Sequence, residues 1–157
     1  MTTQTQPAET AHAEIRTLVD QLFRTLDERK FAAAWILDFV TEDVRMETPL
    51  GTTEGPDAAR ATEEALARYD RTQHIAAGIL TDVDAEAGQA TASWNALMTH
   101  VHHDTTLRER GADADPLFTV GGHYEADLRR TPAGWRFSRV AIRAVWTKGQ
   151  PPLGIND

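Results

Sequence analysis

Residues 71–103 read RTQHIAAGILTDVDAEAGQATASWNALMTHVHH, and their pattern decides the fold. From His74 to Val83 the chain reads as one long strand, and Asp84 to Gly88 supplies the acidic and small residues of a turn. From Gln89 to His103 the residues alternate, so that Ala92, Trp94, Ala96 and Met98 share one face. This second run is long enough to bend. Two long strands joined by a short turn predict an antiparallel pair.

Working outward, the same character continues toward the C-terminus. A charged loop is predicted over Asp104–Pro116. Phe118–Arg130 and Trp135–Trp146 then read as a hairpin across Thr131-Pro132-Ala133-Gly134. Residues 149–157, with Pro151, Pro152 and Gly154, read as an irregular tail.

Toward the N-terminus the period changes. Ile15, Leu18, Val19, Leu22, Phe23 and Leu26 recur at spacings of three and four, the stripe of an amphipathic helix from about Thr10. The polar joint Asp27-Glu28-Arg29-Lys30 leads to a short helix predicted over Phe31–Phe39. Val44–Thr48 reads as a short strand ended by Pro49-Leu50-Gly51. A third helix is expected from Gly55-Pro56-Asp57 to about Tyr69, with Pro56 suited to its first turn. Helices ahead of successive antiparallel strands indicate an α+β domain. Long twisted strands curl, the helices cover the concave side, and a cavity between them is the default small-molecule site. The organisation expected is a disordered leader at 1–9, one domain over 10–148 and a tail over 149–157.

Bulk composition narrows the function. The 157 residues carry a net charge of -8, which argues against nucleic acid or an anionic membrane as partner. There is no cysteine, hence no disulfide, thiol nucleophile or thiolate metal site. The polar N-terminus lacks the features of a signal peptide, and no stretch approaches the length of a bilayer span. The expectation is a cytoplasmic protein.

Of the six histidines, His12 lies at the start of the first helix and is set aside. Alternation puts Met98, His100 and His102 on one face of the second strand, with His100 at the inner end of the apolar row. His74 opens the neighbouring strand, so two imidazoles can meet over one cavity. Taken singly, each histidine is more simply a surface or satisfied core residue. A metal reading of His100, His102 and His103 places two imidazoles together, and Asp104 can add an oxygen, but no further ligand stands at typical spacing and no metal is expected. His102, His103 and His123 are left to structural roles.

Asp27 closes the first helix, where the dipole disfavours a carboxylate, and it follows Phe23 by four, bordering the apolar stripe. A solvated joint residue is the simple reading; a carboxylate at the cavity mouth, bonded to a histidine, is the functional one. Tyr124 alternates with Gly122 and Val120. Gly121-Gly122 marks a bulge or a close approach that gives a ligand room. Trp94, Met98, Gly122 and Tyr124 are the candidate substrate-binding residues.

These residues carry a resemblance to the nuclear transport factor 2-like superfamily, in its SnoaL-like branch and the scytalone dehydratases. Three pieces support it: Leu26-Asp27 followed by Phe31–Phe39; Arg71-Thr72-Gln73-His74; and Gly121-Gly122-His123-Tyr124 leading to Gly134-Trp135-Arg136-Phe137. The resemblance implies a cone-shaped α+β barrel, three N-terminal helices on a curved antiparallel sheet enclosing a pocket. It implies His74 and His100 as catalytic histidines, with Asp27 orienting His100. Leu26, Thr48 and Tyr124 stand where the dehydratases carry substrate-binding tyrosines and an asparagine. It further implies a small-molecule substrate, no cofactor, and a homo-oligomer (dimer or trimer) formed through the outer sheet face near Val145 and Trp146. The expected activity is a scytalone dehydratase-like lyase on a small cyclic or polyketide-like metabolite. The alternatives are a cyclase or isomerase, an epoxide hydrolase with Arg143 as a spare cation, and a ligand-binding domain without turnover.

Overall fold

The computed structural model describes residues 5–154, with side chains from residue 7. Helix α1 runs Thr5–Glu28, starting earlier than apolar spacing alone suggests, so residues 5–9 of the expected leader are helical. Residues 1–4 and 155–157 lie outside the described residues. Of the expected stripe, Ile15, Leu18, Val19, Phe23 and Leu26 are buried in the core and Leu22 is half-buried, while Ala11 extends the stripe by one turn. Each large apolar side chain so buried contributes about 1.5–3 kcal/mol before entropy is counted.

The segment expected as a helix at Phe31–Phe39 is a single 3₁₀ turn, Trp35–Asp38. It is pinned by the Trp35 indole, which donates to Glu63 Oε1 at 2.7 Å. Strand β1, Val40–Thr48, begins before Val44. Pro49-Leu50 ends β1 as expected, and the chain then returns as β2, Gly51–Glu54. Helix α2 spans Pro56–Ala67 with Pro56 in its first turn. Strands β3 (Arg71–Asp84), β4 (Gln89–Val101), β5 (Leu117–Thr131) and β6 (Gly134–Lys148) build the body of the sheet. The expected loop after His103 contains a third helix, α3, Asp104–Arg110, so only two α-helices precede the long strands.

The strand order is β2-β1-β6-β5-β4-β3. All neighbours are antiparallel except β1 and β6, which run parallel and correct the all-antiparallel expectation. The two edge strands, β2 and β3, do not meet, so the sheet is open. Register shifts in β3 between Ala77 and Leu80, and in the β5–β6 ladder at Gly121/Gly122 and Asp127/Leu128, bend the long strands. The inner face carries Trp94, Ala96, Met98, Tyr124, Ala126, Leu128, Phe137 and Val140, all buried in one core cluster with the α1 stripe.

Candidate active site

Helix α1 stops just past Asp27. The Arg29 N–H reaches the Leu26 carbonyl at 3.3 Å and the Lys30 N–H reaches that of Thr25 at 3.2 Å, the paired bonds of a Schellman cap. Asp27 is thereby held in the last turn of α1, over the first residues of β3. Thr72 and His74 alternate onto the inner face of β3, and the Asp27 carboxylate serves both. Oδ1 accepts from His74 Nδ1 at 2.6 Å and from Thr72 Oγ1 at 2.9 Å, and Oδ2 accepts the His74 backbone N–H at 2.9 Å.

A carboxylate can only accept, so His74 carries its proton on Nδ1 and presents Nε2 as a lone pair. Burial pushes the Asp27 carboxyl up, but the side-chain and backbone bonds from His74, its charge and the Thr72 hydroxyl hold it below the usual range. The His74 side chain is 5% exposed and that of Asp27 21%, so the pair is most accessible at its carboxylate end.

This pairing corrects the one implied by the resemblance. Asp27 orients His74, not His100. The end of α1 faces the edge strand β3, and His100 on β4 already has a partner: its Nδ1 donates to the Phe118 carbonyl of the paired strand at 2.9 Å. His100 still joins the site, with its ring edge-to-face with His74 at 5.9 Å and tilted over Tyr69 at 4.4 Å. Burial pushes His100 down to about 4, opposed by the bond to Phe118 and aided by the charges of His74, Arg29 and His102. At neutral pH it is an uncharged imidazole whose Nε2 can only accept.

The wall beside the imidazoles is aromatic. Phe23 packs against His74 at 5.3 Å and against Tyr124 at 5.5 Å, and Trp94 stacks on Tyr124 at 5.0 Å. The Tyr124 hydroxyl donates to Met98 Sδ at 3.2 Å, a weak acceptor, and burial keeps the phenol protonated. Among the described residues Trp94 Nε1 has no hydrogen-bond partner. Gly122 does not open room for a ligand as expected: a Cβ there would stand 2.6 Å from Met98 Cε, so the glycine accommodates the methionine. Gly121 faces outward and seats the Trp146 indole.

The other histidines have structural partners. His12 meets Thr81 Oγ1, His103 the Ala67 carbonyl, and His123 Asn95 Oδ1. His102 is buried, with Nε2 at the Gln150 carbonyl. No group of three or more histidine, aspartate or glutamate side chains among the described residues is arranged to hold a metal. Surface grooves of about 360 and 500 Å³ both border Leu80–Asp82 and include none of Asp27, His74 and His100. The hydrogen-bonded Asp27–His74 pair lies apart from those grooves. Sequence reasoning missed Thr72 and Arg29 as parts of the site. Thr72 was readable from period-two spacing to His74; Arg29 had no local signal.

A sequence profile described as the SnoaL-like domain matches residues 8–141. The chain belongs to the SnoaL-like family. No curated protein matches it at the sequence level. Solved structures agree on the fold. A candidate scytalone dehydratase from Novosphingobium aromaticivorans is 20% identical over 98% of this chain and 100% of its own, with a TM-score of 0.72. Hexachlorocyclohexane dehydrochlorinase LinA-type3 from Novosphingobium barchaimii is 17% identical over 97% of each chain, TM-score 0.72. A nuclear transport factor 2-like superfamily protein from Salmonella enterica is 15% identical over 96% of this chain and 98% of its own, TM-score 0.67. This SnoaL-like chain therefore has the cone-shaped α+β fold of the nuclear transport factor 2-like superfamily.

Proposed function

We propose that this SnoaL-like protein is a cofactor-independent lyase that removes a proton from carbon and expels a neighbouring leaving group. Its substrate class is a small, cyclic or polyketide-like β-hydroxy carbonyl compound. One observation carries the reading: the 2.6 Å bond between Asp27 and His74 Nδ1 leaves Nε2 as a base facing an aromatic wall and a second imidazole.

In the proposed reaction His74 Nε2 takes the proton from the carbon beside the carbonyl. Asp27 stabilises the imidazolium so formed. As the carbon–carbon double bond forms, the β-hydroxyl departs with its bonding pair and receives the proton back from His74, directly or through a water held by His100 Nε2. The products are an enone and water, and His74 is restored. Tyr124 O–H and Trp94 N–H are the donors suited to the carbonyl oxygen, since neither has a strong acceptor among the described residues. The names of two structural relatives, a dehydratase and a dehydrochlorinase, denote loss of water and of hydrogen chloride, eliminations of this kind. Epoxide hydrolysis loses its support, because Arg143 lies on the outer face opposite His123.

The test is enone formation, followed by ultraviolet absorbance, over a panel of β-hydroxy ketones. His74→Ala and Asp27→Asn are expected to lower the rate roughly 10²–10⁴-fold, the range for a positioned general base. Wild-type rates in both variants would sink the proposal. Deuterium exchange at the α-carbon without elimination would assign an isomerase or cyclase, and saturable binding without exchange a binding domain.

A further inference from the structure

Beside the dyad stands a second pair of polar side chains, Arg29 and Thr72. Arg29 occupies the position after the end of α1 with φ 54, a left-handed conformation in which glycine is the usual residue. Its guanidinium spans three elements, donating to the Leu26 carbonyl of α1 at 3.0 Å, the Leu66 carbonyl of α2 at 3.2 Å and Thr72 Oγ1 of β3 at 3.3 Å. A guanidinium cannot accept, so the Thr72 hydroxyl must accept from Arg29 and direct its own hydrogen elsewhere. That hydrogen goes to Asp27 Oδ1, the same oxygen that accepts from His74 Nδ1. The polarity of the chain is therefore fixed: Arg29 to Thr72, Thr72 to Asp27, and His74 to Asp27 from the other side.

We propose that Arg29 and Thr72 are positioning residues that fix the orientation and negative charge of Asp27, and through it the tautomer of His74. The proposal rests on reading His74 as the base. Several features make it more than a structural cap. An arginine that merely closed the helix needs only the Leu26 carbonyl, and a buried threonine on a strand needs no ionic neighbour. Here the left-handed backbone points the arginine at the one hydroxyl that bonds the carboxylate. Among the described residues, the charged and titratable groups that face this cluster are His74 from β3, Arg29 from the end of α1, whose charge interacts with Asp27 and with Asp70 ahead of β3, and His100 from β4 beside His74. Arg29 is the cation among them.

The test uses protein carrying ¹³C-labelled aspartate carboxyls, with the Asp27 resonance followed against pH. Thr72→Val removes the hydroxyl at constant shape, and the Asp27 titration midpoint is expected to move up. Thr72→Ser restores the donor and is expected to return it to the wild-type position. Arg29→Gln is expected to move it up as well. On a substrate found in the panel above, Thr72→Val should lower kcat about tenfold, the scale of one hydrogen bond to a charged group, with KM little changed. An Asp27 titration unaltered by Thr72→Val, or a Thr72→Ser variant that behaves like Thr72→Val, overturns the proposal. If Arg29→Gln fails to fold, the two Thr72 variants decide alone. If the wild type turns over nothing, the proposed reaction fails while the carboxyl titration still decides the relay.

Discussion

His74 and His100 are identical side chains 5.9 Å apart, and their partners make them chemically different. A carboxylate accepts from Nδ1 of His74. A backbone carbonyl and burial leave His100 neutral, with a folded-state value of about 4 against an ordinary 6.5. That depression has a thermodynamic consequence with a definite sign. Between those two values the unfolded chain binds a proton at His100 that the folded chain refuses, so folding stability is full above about pH 6.5 and falls as pH drops toward 4. The loss from pH 7 to 4.5 is about 2 kcal/mol. His102, also pushed down by burial, adds a loss of the same sign. Asp27 acts lower: its stabilisation is present above the ordinary carboxylate value of 3.8 and is lost as pH falls through its depressed folded value. Urea unfolding of wild type and His100→Gln at pH 7 and 4.5 checks this. The variant should show the shallower dependence, and parallel curves would refute a buried neutral His100.

At the scale of elements, what could be read in the sequence is what is periodic and local. The α1 stripe and the alternation of β3 to β6 repeat over many residues, and the hairpin at Thr131–Gly134 is bounded by its own turn. The α3 helix is seven residues long with Thr106 as its buried residue, so it carries no apolar stripe to detect. The parallel pairing of β1 with β6 joins segments about ninety residues apart, as in Met46 with Val140, and no local pattern encodes it. The same limit applied to the site. His74 and His100 were legible from strand register, whereas the choice of Asp27 for His74 depends on where a helix end lands. Gly121 and Gly122 show the intermediate case: the pair signalled a bulge and a close approach, and both occur, with side chains as the approaching groups. Gly121→Ala would set a methyl group inside the Trp146 indole and force that ring off the outer face. Trp146 is 49% exposed and has room to swing, so the expected cost is at the low end of the overpacking range, about 1 kcal/mol. Urea unfolding measures the loss, and a changed tryptophan fluorescence spectrum reports the displaced indole. An unchanged unfolding midpoint would show that the ring does not rest on Gly121.

For the whole molecule, the inner face of the sheet is closed by segments distant in sequence. Helix α1 covers the β3 side and brings Asp27. At the other end, the segment after β6 folds back over the end of β4, where His102 Nε2 meets the Gln150 carbonyl and the Arg110 guanidinium of α3 reaches the Pro151 carbonyl. Arg110 also approaches His102 Nε2 at 3.2 Å, and Pro152 is buried beneath this junction. A neutral Nε2 cannot accept from Arg110 and donate to Gln150 together, so the guanidinium's bond to Pro151 is the unambiguous link between helix and tail. Removing it leaves a part-buried carbonyl without its charged donor, a loss of about 1 kcal/mol. Arg110→Met, which keeps much of the stem, is therefore expected to lower the unfolding midpoint and to make residues 149–154 an early site of limited proteolysis. Tyr69, the ring against His100, also lies 5.7 Å from His102, so loosening the tail releases one side of the His100 environment. The accompanying outcome is a His100 that titrates closer to its ordinary value, measured by NMR of the imidazole. A variant with wild-type protease resistance and an unmoved His100 titration would show that the tail does not close this end of the fold.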